Sequence, residues 1–368
     1  MGGAAREGPC NYSGVSRILA VGSALGPNTY PQAEITRMFT SLIDPAPDRL
    51  ALLKRLHEAA GVSTRHLALP LDSYLELGGF AAANDVFLDV GVQLGELAVL
   101  DALSRCGLAP DDVDLVMSVT VTGVGAPSLE ARLVPRLGFR SDLKRIPIFG
   151  LGCVAGAAGI ARVHDYLLGH PDDVAILLSV ELCSLTLQAN DDSTPNLLAT
   201  ALFGDGAAAV VMVGERRARA IGRVGPLVVS TRSRLYPDTE RALGWDVVDS
   251  GFRVLLAASV ADIIEENLGQ DVKEFLAEDG FELADVRRWV AHPGGPKVLR
   301  AMERALDLRA DELEVTWRSL DAVGNLSSAS VLHVLADTLA AAPPGTREPT
   351  VLMAMGPGFS SELVLLSW

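Results

Sequence analysis

The sequence predicts an α/β fold, and three observations carry the prediction. Ile18–Val21, Leu115–Val121, Val174–Leu182 and Ala207–Val213 are continuously apolar and rich in β-branched residues, as strands buried on both faces are. Helical stretches lie between them; in Asp85–Arg105, Phe87, Val90, Leu94 and Leu97 recur at helical spacing. The alternation then restarts beyond a short charged break, Gly214-Glu-Arg-Arg-Ala-Arg219. Strands follow at Leu227–Ser230, Trp289–Ala291, Val351–Ala354 and Leu363–Leu366, and Ala340–Gly345 reads as a loop after a helix.

Composition narrows the function classes. The 368 residues suffice for two domains or one doubled domain with a sizeable core. Hydrophobic content of 49% and charged content of 21% are those of a globular enzyme. A net charge of −15 argues against a nucleic-acid binder or a protein of anionic membranes. The first residues, Met1-Gly-Gly-Ala-Ala-Arg-Glu7, lack the apolar core of a secretory signal, and Arg6 breaks the myristoylation pattern. No uncharged stretch reaches membrane-spanning length. Cys10, Cys106, Cys153 and Cys183 are widely spaced, with no Cys-x-x-Cys and no zinc-like His pairing. A cytoplasmic protein without metal is the expectation, and the sequon Asn11-Tyr-Ser13 is taken as chance.

The chemistry concentrates in three motifs. In Arg145-Ile-Pro-Ile-Phe-Gly-Leu-Gly-Cys-Val-Ala-Gly-Ala-Ala-Gly159, an apolar strand runs into Cys153, which opens a helix of very small residues. Unpaired N–H groups and the positive end of the helix dipole favour thiolate there, so a low-pKa nucleophile is expected. Trp289-Val-Ala-His-Pro-Gly-Gly-Pro296 puts His292 at the end of a short strand, and Val323-Gly-Asn-Leu-Ser-Ser-Ala329 puts Asn325 before an amphipathic helix. Taken singly, these are also a buried inert cysteine, a structural histidine and an ordinary Gly-Asn turn. Together they supply a thiolate, a proton carrier and an amide donor, the parts of acyl transfer through a thioester.

With Leu202-Phe-Gly-Asp-Gly206 and Met355-Gly-Pro-Gly358, these motifs resemble the type III polyketide synthases, the chalcone synthase-like family, from about Arg17 to Trp368. The resemblance implies a thiolase-like doubled fold of five layers, α-β-α-β-α. Its half 1–215 would carry the nucleophile and its half 216–368 the His and Asn, with the junction near Gly214. It further implies that Cys153 takes a starter acyl group from coenzyme A and that malonyl-CoA loses carbon dioxide. The enolate then attacks the thioester, with His292 and Asn325 hydrogen-bonding its oxygen, and no cofactor is required.

The family's substrate positions fall on Phe203 (a gatekeeper), Cys183, Thr186, Ala199, Trp245, Ser327, Met355 and Thr122. Val254 stands where plant members have a second gatekeeper Phe, and Trp245 where they have Gly. In Gly123-Val-Gly-Ala-Pro127, Ala126 replaces a Met that crosses the subunit interface, so a homodimer with a thinner shared wall is implied. For coenzyme A the resemblance points to Arg55, with Lys54, Arg65 or Lys297 replacing basic residues that fall here on Leu52 and Ala59. Gly294 and Gly295 would let the pantetheine arm approach the backbone. Small residues at Val254 and Ala126, with Leu243-Gly-Trp-Asp-Val247, resemble fatty-acyl-primed bacterial members; a fatty-acyl starter and an alkylpyrone or alkylresorcinol product are expected. The alternatives are an initiating ketoacyl-ACP synthase, which carries His-Gln-Ala-Asn where this chain has His-Pro-Gly-Gly-Pro, and a non-catalytic partner subunit, which would lack the nucleophile.

Overall fold

In the computed structural model, residues 14–189, 191–222, 225–341 and 348–368 are described; Cys10, the sequon and positions 342–345 of the expected loop lie outside them. The first half runs β1 (Ser16–Leu25), β2 (Asn28–Pro31), α1 (Gln32–Ile43), α2 (Pro47–Ala59), β3 (Thr64–Leu67) and α3 (Gly79–Cys106). It continues through β4 (Leu115–Thr120), α4 (Leu129–Leu137), β5 (Lys144–Phe149), α5 (Ala155–Gly169), β6 (Val174–Leu182), α6 (Thr194–Leu202) and β7 (Asp205–Gly214). The charged stretch after Gly214 is itself a helix, α7 (Glu215–Ile221). Then come β8 (Leu227–Leu235), the hairpin β9 (Leu243–Val248) and β10 (Gly251–Leu256), α8 (Val260–Glu278), β11 (Arg288–Ala291) and α9 (Pro296–Leu306). The chain closes with α10 (Glu314–Val323), α11 (Ser328–Ala341), β12 (Pro349–Gly356) and β13 (Ser360–Ser367). All eight strands read from the sequence are present.

Nine strands form one sheet in the order β11-β12-β13-β8-β1-β7-β6-β4-β5. Pairing is parallel at β11/β12, β4/β5 and β4/β6, and antiparallel elsewhere. Its seam is narrow: β1 meets β8 through the pairs Ser16–Val228 and Arg17–Leu227.

Side-chain alternation along the strands sorts the layers. On β7, Ala207, Ala209, Val211 and Val213 pack with Ala98, Val99 and Ala102 of α3. Ala208, Val210 and Met212 face the other way, onto Ile160 and Val163 of α5 and Val331 and Leu335 of α11. On β12, Leu352 and Ala354 join that same central cluster, whereas Val351, Met353 and Met355 pack with Ile264 and Leu268 of α8 and Leu299 of α9. Helices α5 and α11 therefore lie between the two halves of the sheet, with α3 outside one and α8 and α9 outside the other. This is the five-layered thiolase-like order, with the two expected sheets joined at the β1–β8 seam.

One expected core residue is displaced. Leu97 is 57% exposed, because α3 buries a face made of Phe87, Gly91, Leu94, Gly95, Ala98 and Ala102. Small residues bring α3 against the sheet, and Leu97 falls beyond the edge of that face.

Candidate active site

Cys153 occupies a single 3-10 turn, Gly152–Val154, between β5 and α5. The small residues behind it serve a close helix crossing. A Cβ on Gly156 would lie 2.3 Å from the Ser328 carbonyl oxygen, so α5 and α11 meet backbone to backbone. That crossing sets the Cys153 Sγ 3.7 Å from the Ser327 Oγ, to which it donates.

Asn325 lies in the turn between α10 and α11. Its backbone N–H donates to Leu202 O (2.8 Å), and Gly204 N–H donates to its carbonyl (3.0 Å), so it pairs with Phe203 as a short parallel bridge. The Asn325 Oδ1 accepts from the Ser327 backbone N–H at 2.8 Å, which leaves the amide's NH2 end to donate. His292 extends β11, its N–H bonded to Met353 O at 3.0 Å. It is 3% exposed, and its Nδ1 is buried without a partner among the described residues.

Burial works against the expected low-pKa thiolate. Burial pushes the Cys153 thiol up to about 12; the Ser327 hydrogen bond opposes this and the Glu181 carboxylate adds to it. Burial likewise pulls His292 down to about 3. The helix dipole is a fraction of a charge, weaker than the desolvation of a lone thiolate. For each group, taken singly, burial favours the neutral form.

A cavity of about 30 Å³, close to the space of one water, is lined by Cys153, Cys183, Phe203, Trp245, Val254 and Ser327, with Val121, Gly152, Leu243, Gly244 and Pro357. Six of the sequence-predicted positions are thus brought together. Ala199 is buried on α6, Thr186 bonds back to Cys183 O (2.8 Å), Met355 sits in the α8–α9 cluster, and none of the three reaches the lining. His292 and Asn325 also lie outside it. Ala126 is exposed beside a cis bond to Pro127. Thr122 is turned away: its Oγ1 donates to Glu181 Oε2 (2.9 Å) and accepts from Leu182 N–H (2.9 Å), leaving Val121 on the wall.

The space beside Val254 is reshaped rather than simply enlarged. Trp245 pairs with Val254 across the β9–β10 hairpin, and the indole takes the room that the small valine leaves. The hairpin is seated by Phe252, whose ring lies 5.1 Å from that of Phe80 and 5.8 Å from that of Phe149. On its far side Val254 also borders an open groove of about 970 Å³, whose lining includes Leu77, Leu185, Leu187, Leu255, Asp191, Arg241 and Arg253.

Sequence reading missed Glu181. This fully buried carboxylate accepts from Val121 N–H (3.1 Å), Thr120 Oγ1 (3.2 Å), Thr122 and Ser328, so it ties β4 and β6 to the start of α11. Its signal was a lone acid in the apolar run Val174–Leu182.

Among the cations proposed for coenzyme A, Arg55, Lys54 and Lys297 are exposed. The end of α2 and the start of α9 meet, since Ala60 and Val62 share a cluster with Leu299, and Gly294 and Gly295 precede α9. Arg65 departs from expectation. It is fully buried and donates to Phe203 O (2.8 Å) and Gln32 Oε1 (3.0 Å), so it cannot meet a phosphate in solvent.

Among the described residues no helix is long and apolar enough to cross a membrane, and no group of three or more His, Cys, Asp or Glu could hold a metal ion.

Comparison with known proteins agrees with this architecture. Residues 6–216 match the N-terminal domain of chalcone and stilbene synthases, and residues 227–367 match the C-terminal domain. The chain is 54% identical to a 1,3,6,8-tetrahydroxynaphthalene synthase of Streptomyces peucetius subsp. caesius, over 95% of this chain and 93% of that one. It is 33% identical to a putative chalcone synthase of Bacillus subtilis (strain 168), over 95% and 98%. The crystal structure of 1,3,6,8-tetrahydroxynaphthalene synthase from Streptomyces coelicolor A3(2), a bacterial type III polyketide synthase, superposes with a TM-score of 0.89 at 31% identity, covering 96% of this chain and 99% of that one. Sequence, layers and neighbours converge, and the chain belongs to the chalcone and stilbene synthase family as a type III polyketide synthase.

Proposed function

We propose that this synthase uses malonyl-CoA as both starter and extender and closes the chain to a polyhydroxylated naphthalene. The observation that carries the reading is the 54% identity to a 1,3,6,8-tetrahydroxynaphthalene synthase, and the Trp245 indole on the wall beside Cys153 narrows the way past Val254 for a long alkyl tail. Similarity to the tetrahydroxynaphthalene synthases supports the product class. A naphthalene skeleton oxygenated at 1,3,6,8 has ten ring carbons in the alternating pattern of five two-carbon units, so five malonyl groups that each lose carbon dioxide supply it, the fifth carbonyl oxygen leaving as water from a ring-fusion carbon when the ring closes.

In this reading Cys153 attacks the starter thioester while His292 accepts its proton, so neither charge stands alone in a dry site; coenzyme A leaves as the thiol. The extender then decarboxylates, and the electron pair of the broken C–C bond passes to the enolate oxygen. His292 and the NH2 end of Asn325 donate to that oxygen. The enolate carbon attacks the Cys153 thioester; the new C–C bond forms as the acyl C–S bond breaks, and Cys153 leaves as the thiolate. The extended chain, now a thioester of the extender's coenzyme A, is transferred back to Cys153 with release of that coenzyme A before the next round. Glu181 holds Ser328 beneath Ser327, opposite the thiol. Arg55 and Lys297 take the phosphates of coenzyme A, and the arm passes Gly294 and Gly295. A second copy covers the exposed apolar Val124, Ile146 and Phe149 on the side of the edge strand β5.

The test is incubation with uniformly labelled malonyl-CoA as sole substrate. A ten-carbon aromatic carrying label at every ring carbon is expected; absence of product until another acyl-CoA is added would overturn the reading.

The groove of about 970 Å³ favours a second reading, because it meets the cavity at Val254 and carries Leu77, Leu185, Leu187 and Leu255. A fatty-acyl starter lying there would give an alkylpyrone or alkylresorcinol. Product formation that requires a long-chain acyl-CoA would select it.

A further inference from the structure

We infer that Arg65 is a positioning residue for the condensation step, holding Phe203 and Asn325 in register from behind the cavity wall. The inference rests on the proposed roles of those two residues.

Helix α6 ends at Leu202, and Phe203 leaves it in extended conformation (φ −83°, ψ 136°). The last carbonyls of a helix lack intrahelical donors and sit at the negative end of its dipole. Two partly buried links meet that need. The Arg65 Nη1 donates to Phe203 O at 2.8 Å, and Gln32 Nε2 donates to Ala201 O at 2.9 Å. Gln32 Oε1 in turn accepts from Arg65 Nε at 3.0 Å, so one guanidinium governs both carbonyls.

The same cation underlies the Asn325 turn. Gly324 has φ +74°, and a Cβ there would lie 2.6 Å from Leu202 O and 3.2 Å from Arg65 Cγ and Cδ. A side chain is excluded, and the Asn325 backbone sits directly on Leu202 and Gly204 through its two hydrogen bonds. Asp205, two residues after Phe203, attracts the cation electrostatically. Its carboxylate, fully buried, accepts from Ala68 N–H (2.6 Å), Ser184 N–H (2.8 Å) and the Ser184 hydroxyl. Ser184 follows Cys183 on the cavity wall. The Phe203 and Asn325 segments are therefore keyed to the buried Arg65, and the Cys183 segment to Asp205, whose charge acts on that cation. An apolar side chain would fill the same space but could not answer the two helix-end carbonyls.

The test uses the full chain with Arg65→Gln, Arg65→Lys and Gln32→Leu. Four readouts are taken: malonyl-CoA decarboxylation, its KM, single-turnover acylation of Cys153, and the melting temperature. Misplacing a donor by about 1 Å can cost roughly 10²-fold. Arg65→Gln should lose about that much in decarboxylation kcat with KM nearly unchanged and Cys153 acylation retained, and Arg65→Lys should recover part of it. Gln32→Leu, which keeps the cation, should show the same split at a few-fold, and it decides the matter if Arg65→Gln fails to fold. A raised KM at constant kcat would make Arg65 a phosphate ligand and overturn the inference. So would equal loss of acylation and decarboxylation, which marks a scaffold role. Absence of decarboxylation in the unmutated enzyme would instead sink the proposed function.

Discussion

Cys153 and His292 carry the largest consequence of burial. A lone thiolate or a lone imidazolium pays desolvation without a partner, and the thiol rises to about 12 while the imidazole falls to about 3. Burial thus favours a thiol and a neutral base in the free enzyme, with charge developing as substrate arrives. Alkylation follows the thiolate fraction, so the rate of Cys153 labelling by iodoacetamide should climb about tenfold per pH unit from pH 7 to 10. Mass-spectrometric labelling of the substrate-free enzyme measures this; a plateau reached near pH 6 would restore the thiolate that the helix position suggested. His292 adds a stability term of known sign. Its folded pKa lies below the unfolded value of 6.5, so the unfolded chain binds the proton first and stability is lost as pH falls from 6.5 towards 3.

The β9–β10 hairpin decides what the cavity admits. It stands apart from the nine-stranded sheet, carries Trp245 and Val254 as a cross-strand pair, and is seated by Phe252 against Phe80 and Phe149. A valine at the second gate suggested space when considered alone; its neighbour on the opposite strand takes that space back. Trp245→Ala should therefore raise kcat/KM for long-chain acyl-CoA starters relative to malonyl-CoA. Each methylene newly buried contributes up to about 0.8 kcal/mol, so several together give orders of magnitude. The measurement is kcat/KM from acetyl- to palmitoyl-CoA in both proteins, and an unchanged profile would place the acyl tunnel elsewhere. The small residues of α5 show the complementary case. Gly-Ala-Ala-Gly after Cys153 was legible as a close-packing helix, but its partner, α11, lies some 170 residues further along the chain.

Among the contacts that join the two halves are the seam of β1 with β8 and the crossing of α5 with α11. The crossing matters for chemistry, because Cys153 precedes one helix while Asn325 and Ser327 precede the other. Gly156→Ala would put a methyl 2.3 Å from Ser328 O, and relief of that clash must part the helices. Overpacking of this kind costs roughly 1–3 kcal/mol. A lower denaturant midpoint is expected together with slowed decarboxylation; lost stability with full activity would show that the crossing only supports the fold. Family membership sets aside the ketoacyl-ACP synthase and the non-catalytic subunit as accounts of the chain. The strands, the α/β alternation and the motifs around Cys153, His292 and Asn325 were legible in the sequence, because buried strands need continuous apolar runs and element junctions need short polar punctuation. The outward turn of Thr122 to Glu181, the burial of Arg65 behind Phe203 and the filling of the Val254 gap by Trp245 were decided only by tertiary structure. Each depends on which distant side chain occupies the adjoining space, and residue type at a single position carries no record of that neighbour.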